Sequence, residues 1–189
     1  MNAHRLIMGT LKDFLTDATL DDTHDERYRQ KLARFLVEDK HYRKKEITSG
    51  YPLTVSVENK KAIARIDFLV TLNRTAAMLI KYGPGSLVSR HRPALAMSRI
   101  VSPCQIPVVV VTNGETADIL DGATGAVSSK GLDAIPMKSE LTRYLETAAL
   151  KPISEKQKQM ALRIVYAFEI DDSCPCDENI CRTGPDHAT

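Results

Sequence analysis

The sequence predicts an α/β chain (an α+β mixed sheet) with helices on both faces of the sheet. Three observations lead there. Residues 53–82 hold three short runs rich in β-branched and apolar residues, split by the polar stretches "ENKK" and "TLNRT", which is the pattern of an antiparallel meander. "PVVVVT" (107–112) is apolar without interruption, as a strand buried on both faces is. Between them, residues 86–101 carry helical spacing. A helix there makes a crossover, which places the fourth strand parallel to one strand of the meander.

The elements follow in order. "RLIMGTLKDFL" (5–15) suits either a short strand running into a turn or a helix. "DDTHDERYRQKLARFLVEDK" (21–40) reads as a helix, with Tyr28, Leu32, Phe35 and Leu36 on one apolar stripe. Thr23 and Glu26 fit a Thr-x-x-Glu capping box at its start. "HYRKKEITSGYP" (41–52) reads as a basic, solvated connector. Strands are expected over 53–57, 62–70 and 76–82, and "GPG" (83–85) breaks the pattern. The helix over 86–101 is expected to be capped by Ser86 and kinked or broken at Pro93. After 107–112, "NGE" turns the chain into a short strand over 116–120, and "DGATG" turns it again. Helices are expected over 137–150 and 154–170, with Pro152 ending the first. The organisation is therefore one domain over 1–150, a helix packed on it over 151–171, and a polar tail over 172–189.

Composition sets wide bounds. A chain of 189 residues suits one domain and buries roughly 70% of its unfolded surface without staples. Its 43% hydrophobic and 26% charged residues are ordinary for a globular protein, and its net charge of +2 neither requires nor excludes a nucleic-acid partner. No apolar run approaches the ~20 residues of a membrane span. The start "MNAHRLIMGTLKDF" lacks the pattern of a secretory leader. A cytoplasmic protein with no membrane partner is expected. The four cysteines do not form a stapling framework.

The order helix, three antiparallel strands, helix, strand resembles a known family. "ERYRQKLARFLVEDKHY" resembles its E-x-x-R helix, "ARIDFLV" its R-x-D strand and "QIPVVVVTNGETADIL" its strand ending in Thr-Asn-Gly. "MLIKYGPG" falls in its E-x-K position. The family is the PD-(D/E)xK, restriction-endonuclease-like fold. More narrowly, the chain is similar to the N-terminal nuclease domain of type I restriction enzyme R subunits, in a stand-alone form. The resemblance spans about residues 22–121. It departs from the pattern at Leu79, where the family has Glu, and no G-x-x-x-x-G-K-[ST] loop of a motor is present.

The resemblance implies a chemistry. Such nucleases hold Mg²⁺ on carboxylates, which polarises the phosphate and activates water, while a lysine offsets developing charge. Carried over residue by residue, Asp67 and Glu26 are the candidate metal ligands, with Asp25 as the alternative because it falls nearer the apolar stripe of its helix. Lys81 is the candidate catalytic lysine. Strand alternation puts Leu79 and Lys81 on one face, and a leucine cannot coordinate a cation. Two acids then stand where three are expected, unless Glu46 or Glu58 reaches in, and cleavage is expected to be slow or absent. The plainer alternatives are a solvated or ion-paired Asp67, a capping Glu26, and Lys81 as an edge-strand charge.

Arg29, Arg90, Arg92 and Arg99, together with Lys81, are candidates for a positive groove on a DNA backbone. The "GPG" turn before a helix is a candidate phosphate cradle, set against a plain turn. In the tail, Cys174, Cys176 and Cys181, with Cys104 or His187 as a fourth ligand, suit a weak zinc site. Their spacing does not match the usual pattern of the iron–sulfur nucleases of this broad fold, and a tail with free thiols explains them as well. Three functions remain open: a Mg²⁺-dependent DNA endonuclease with an incomplete site, a pseudo-nuclease acting as a binding or assembly module, and a metal or redox sensor read through the tail.

Overall fold

In the computed structural model, residues 6–58, 60–148 and 150–170 are described. A hairpin of β1 (Thr10–Lys12) and β2 (Thr19–Asp21) leads into helix α1 (His24–Glu38). A 3-10 turn at Lys44–Glu46 opens onto β3 (Ile47–Val57), followed by β4 (Lys60–Leu72) and β5 (Thr75–Tyr82). Helix α2 (Val88–Val101) crosses over to β6 (Val108–Thr112), and β7 (Ala117–Asp121) and β8 (Val127–Lys130) complete the sheet. Helices α3 (Lys138–Thr147) and α4 (Glu155–Glu169) follow.

Six strands pair in chain order, β3 to β8. All neighbours are antiparallel except β5 and β6, which run parallel with Leu79 opposite Val109 and Lys81 opposite Val111. The crossover therefore produces the mixed sheet expected of it. Alternation along the strands splits the core in two. Leu32 and Leu36 of α1 and Leu141 of α3 bury Phe68, Val70, Met78 and Ile80 on one face. Ala94 and Met97 of α2 and Ala161 and Val165 of α4 bury Ile66, Leu79, Val109 and Val111 on the other.

The structure corrects several expectations. Residues 41–52 are not a solvated connector. Tyr42 and Glu46 are buried there, Tyr42 donates its hydroxyl to the carbonyl of Pro136 (2.9 Å), and β3 begins at Ile47. Pro52 does not stop that strand because β3 is the edge of the sheet, where a missing donor is tolerated. Lys81 is not an edge charge, since β5 lies between β4 and β6. The N-cap of α2 is Leu87, with no side-chain bond, rather than Ser86, and the helix runs through a buried Pro93. The β1–β2 hairpin and β8 are too short for periodicity to reveal.

Candidate functional site

The N-terminal turn of α1 faces the middle of β4, at Asp67, and the end of β5, at Tyr82. Thr23 caps the helix by accepting the Glu26 N–H at 3.1 Å. The reciprocal half of the capping box is replaced: the Glu26 carboxylate accepts from Gln30 Nε2 at 2.9 Å and lies 3.6 Å from Arg29 Nη1. The next acid along, Asp25, accepts the Tyr82 hydroxyl at 3.2 Å. Asp25 thus reaches the end of β5 directly, whereas Glu26 is held by residues of its own helix beside the cleft that Asp67 lines.

Asp67 is buried, at 5% exposure. It stands between the paired positions Ile66–Tyr51 and Phe68–Ser49, opposite Gly50, whose positive φ of 59° suits a residue without a Cβ. Both of its carboxylate oxygens are engaged. Arg29 Nε donates to Oδ1 at 2.6 Å and the Tyr82 backbone N–H donates to Oδ2 at 2.9 Å. Lys81 Nζ lies 3.8 Å from Oδ2, donates to the carbonyl of Arg65 (3.1 Å) and pairs with Glu169 of α4 at 2.7 Å. The acid of the meander and the ammonium of residue 81 thus converge. Leu79, two residues before Lys81, is fully buried among Ile66, Met97 and Val165.

The titrations follow the contacts. Burial works against the Arg29 guanidinium, yet the charge and hydrogen bond of Asp67, with help from Glu26 and Asp25, raise its pKa above the usual arginine value. Burial pushes the Tyr82 phenol up to about 12, and the Asp25 carboxylate adds to it. A cleft of about 510 Å³ opens beside this cluster, lined by Asp13, Glu26, Arg29, Gln30, Arg65 and Asp67 among others. Asp13, buried on the β1–β2 hairpin, accepts from Gln30 (2.8 Å) and Thr16 (2.5 Å). Burial alone would raise its carboxyl, but these bonds hold it below the ordinary range.

Sequence reasoning missed Asp13, Gln30 and Glu169. Gln30 had a signal, one turn beyond Glu26 on the same helix face. Asp13 and Glu169 had none, because a hairpin and the end of a distant helix bring them in. Other candidates go elsewhere. Glu46 is bound by Arg43 and by Lys138 (3.0 Å), and Glu58 sits exposed at the β3–β4 turn. Arg90 lies flat on Gly83, where a Cβ would meet its guanidinium carbon at 2.4 Å, and donates to the Pro84 carbonyl at 2.9 Å. The "GPG" turn is therefore filled by the chain's own arginine. Among the described residues the buried Nε of Arg99 has no hydrogen-bond partner. The guanidinium of Arg92 lies 5.9 Å from the ring centroid of Phe168. Arg29 belongs to the helix packed on one face of the sheet and the other three arginines to the helix packed on the opposite face. Cys174, Cys176, Cys181 and His187 lie outside the described residues. Among the described residues no group of three or more His, Cys, Asp or Glu is placed to hold a metal, and no helix is long and apolar enough to cross a membrane.

Compared with protein families, residues 24–136, more than half of the chain, match the family described as type I restriction enzyme R protein N terminus. The chain belongs to this family. Comparison with curated proteins and with solved structures finds no match. The R-protein N-terminal match contains Glu26, Arg29, Asp67 and Lys81. Asp13 precedes it, and Glu169 lies beyond it.

Proposed function

We propose that this R-protein N-terminal domain contacts DNA through a nuclease-derived scaffold whose hydrolytic centre is held shut. The observation that carries the reading is the Arg29–Asp67 pair, at 2.6 Å with Asp67 buried. A guanidinium neutralises the carboxylate on which a divalent ion would depend. The donor set does not fit Mg²⁺, which takes oxygen ligands in near-octahedral geometry. Asp67 has both oxygens committed, Glu26 is committed to Gln30 and Arg29, and Leu79 offers an alkyl group inside an apolar cluster. DNA as the partner is supported by the family of the chain, and by the exposed Arg92 of α2.

The test uses the purified protein with plasmid DNA and Mg²⁺ or Mn²⁺, beside Asp67→Ala and Lys81→Ala. Wild type is expected to bind DNA with an affinity that falls as salt rises, and to cleave no faster than either variant. Cleavage by wild type that either substitution abolishes would replace this reading with that of a working nuclease. Arg29→Gln sharpens the test. Releasing Asp67 from its partner is expected to raise Mn²⁺ affinity measured by calorimetry. Leu79→Glu is the weaker probe, because it puts a carboxylate into the core shared with α2 and α4.

A further inference from the structure

The contact chain at the site continues outward on the α2/α4 face. Lys81 pairs with Glu169. The preceding residue, Phe168, exposes 52% of its surface. Arg92 of α2 extends over that ring, 5.9 Å from its centroid. One turn earlier on α2, Val88 is 72% exposed. A large apolar ring left half in water forgoes stabilisation that burial would supply. A lone exposed aromatic needs no explanation. This one is set beside a guanidinium, and its neighbour on the helix, Glu169, pairs with Lys81.

We infer that Phe168 and Arg92 form a stacking platform for an unpaired nucleobase, so that the domain engages single-stranded nucleic acid, or a frayed end, next to the Lys81 site. The inference rests on the DNA-contact reading above and names its substrate class. Aromatic rings and guanidinium planes are the surfaces on which unpaired bases stack, and a cation beside the ring attracts the backbone. Duplex DNA hides its base faces, so the platform has nothing to offer it beyond charge. A protein partner with an apolar knob would fit the ring as well. The adjacent cation favours a polyanion, and the family supplies the nucleic acid. The ring of the platform lies on α4, beyond the residues 24–136 that carry the family match, whereas its guanidinium, on α2, lies within them.

The sequence contains no tryptophan, and that makes the experiment direct. Phe168→Trp places a unique fluorophore on the platform. The full chain is titrated with a short oligo-dT and with a duplex of equal length, for wild type, Phe168→Ala, Phe168→Trp and Arg92→Gln. Expected are a loss of about tenfold in oligo-dT affinity for Phe168→Ala, quenching of the Phe168→Trp emission on binding, and a duplex affinity changed less than twofold. Oligo-dT binding by wild type that is unchanged in Phe168→Ala, with unquenched tryptophan, would overturn the platform and leave the DNA-contact reading standing. Failure of wild type to bind either strand form would overturn both. A change in oligomeric state by light scattering in Phe168→Ala, without a change in oligo-dT affinity, would reassign the patch to a protein interface and overturn the platform.

Discussion

The same two strands, β4 and β5, behave differently along their length. Over Phe68–Val70 and Met78–Ile80 the ladder pairs residue with residue, and the side chains are apolar and buried on both faces. One step further, at Asp67, Lys81 and Tyr82, a side chain intervenes: the Tyr82 N–H is satisfied by the Asp67 carboxylate. The apolar half is held by packing, which is spread over many small contacts. The polar half is held by a few charged groups that depend on one another. Each of its members left alone becomes a buried, unpaired group, and so the polar end is the more fragile.

The largest effect is expected at the polar end. Asp67→Ala leaves the Arg29 guanidinium and the Tyr82 N–H without their acceptor. A loss of about 3–5 kcal/mol follows for a broken buried pair, read as the shift of the urea midpoint. A loss under about 1 kcal/mol would show that water replaces the carboxylate freely. A second polar cluster, around Glu46, gives the next effect. Burial would raise its carboxyl, but Arg43 and Lys138 hold it down at about 2, against an ordinary 4.5. Its folded value is depressed, so its contribution is complete above about pH 4.5 and lost as pH falls towards 2. After allowance for the exposed Arg43, on the order of 2 kcal/mol is involved. Urea midpoints of wild type and Glu46→Gln are expected to differ at pH 6 and to converge near pH 2.

In the apolar half, Ile80→Val removes one methylene from a fully buried side chain. It should cost about 1 kcal/mol, with no change in the pH dependence of stability. The smallest effect is expected for Tyr82→Phe, which removes only the 3.2 Å bond to Asp25. A loss of about 1 kcal/mol or less is expected in the same assay. Were it to match Asp67→Ala, the phenol rather than the Arg29–Asp67 pair would be the centre of the polar end.

Some of this was readable in the residues. The meander, the crossover helix and the parallel fourth strand follow from period and spacing, because strand alternation and chain handedness are local or nearly local rules. The family match over residues 24–136 covers the span from which the resemblance is read. That Leu79 shares a face with Lys81 also followed from alternation alone. The sequence pattern starts the edge strand β3 six residues late, because Gly50 and Pro52 are breakers anywhere except where a sheet edge accepts them.

The partners of the charged groups were not readable. Asp13 reaches Gln30 from a three-residue strand, Glu169 reaches Lys81 from the end of α4, and Arg29 takes Asp67 across 38 positions of chain. The sequence by itself determined which side chains carry charge and which strands carry them, since backbone periodicity is set by nearest neighbours. Only the tertiary structure decided which charges meet. An ion pair in a buried site is chosen by distance and desolvation, and both exist only after distant segments have packed.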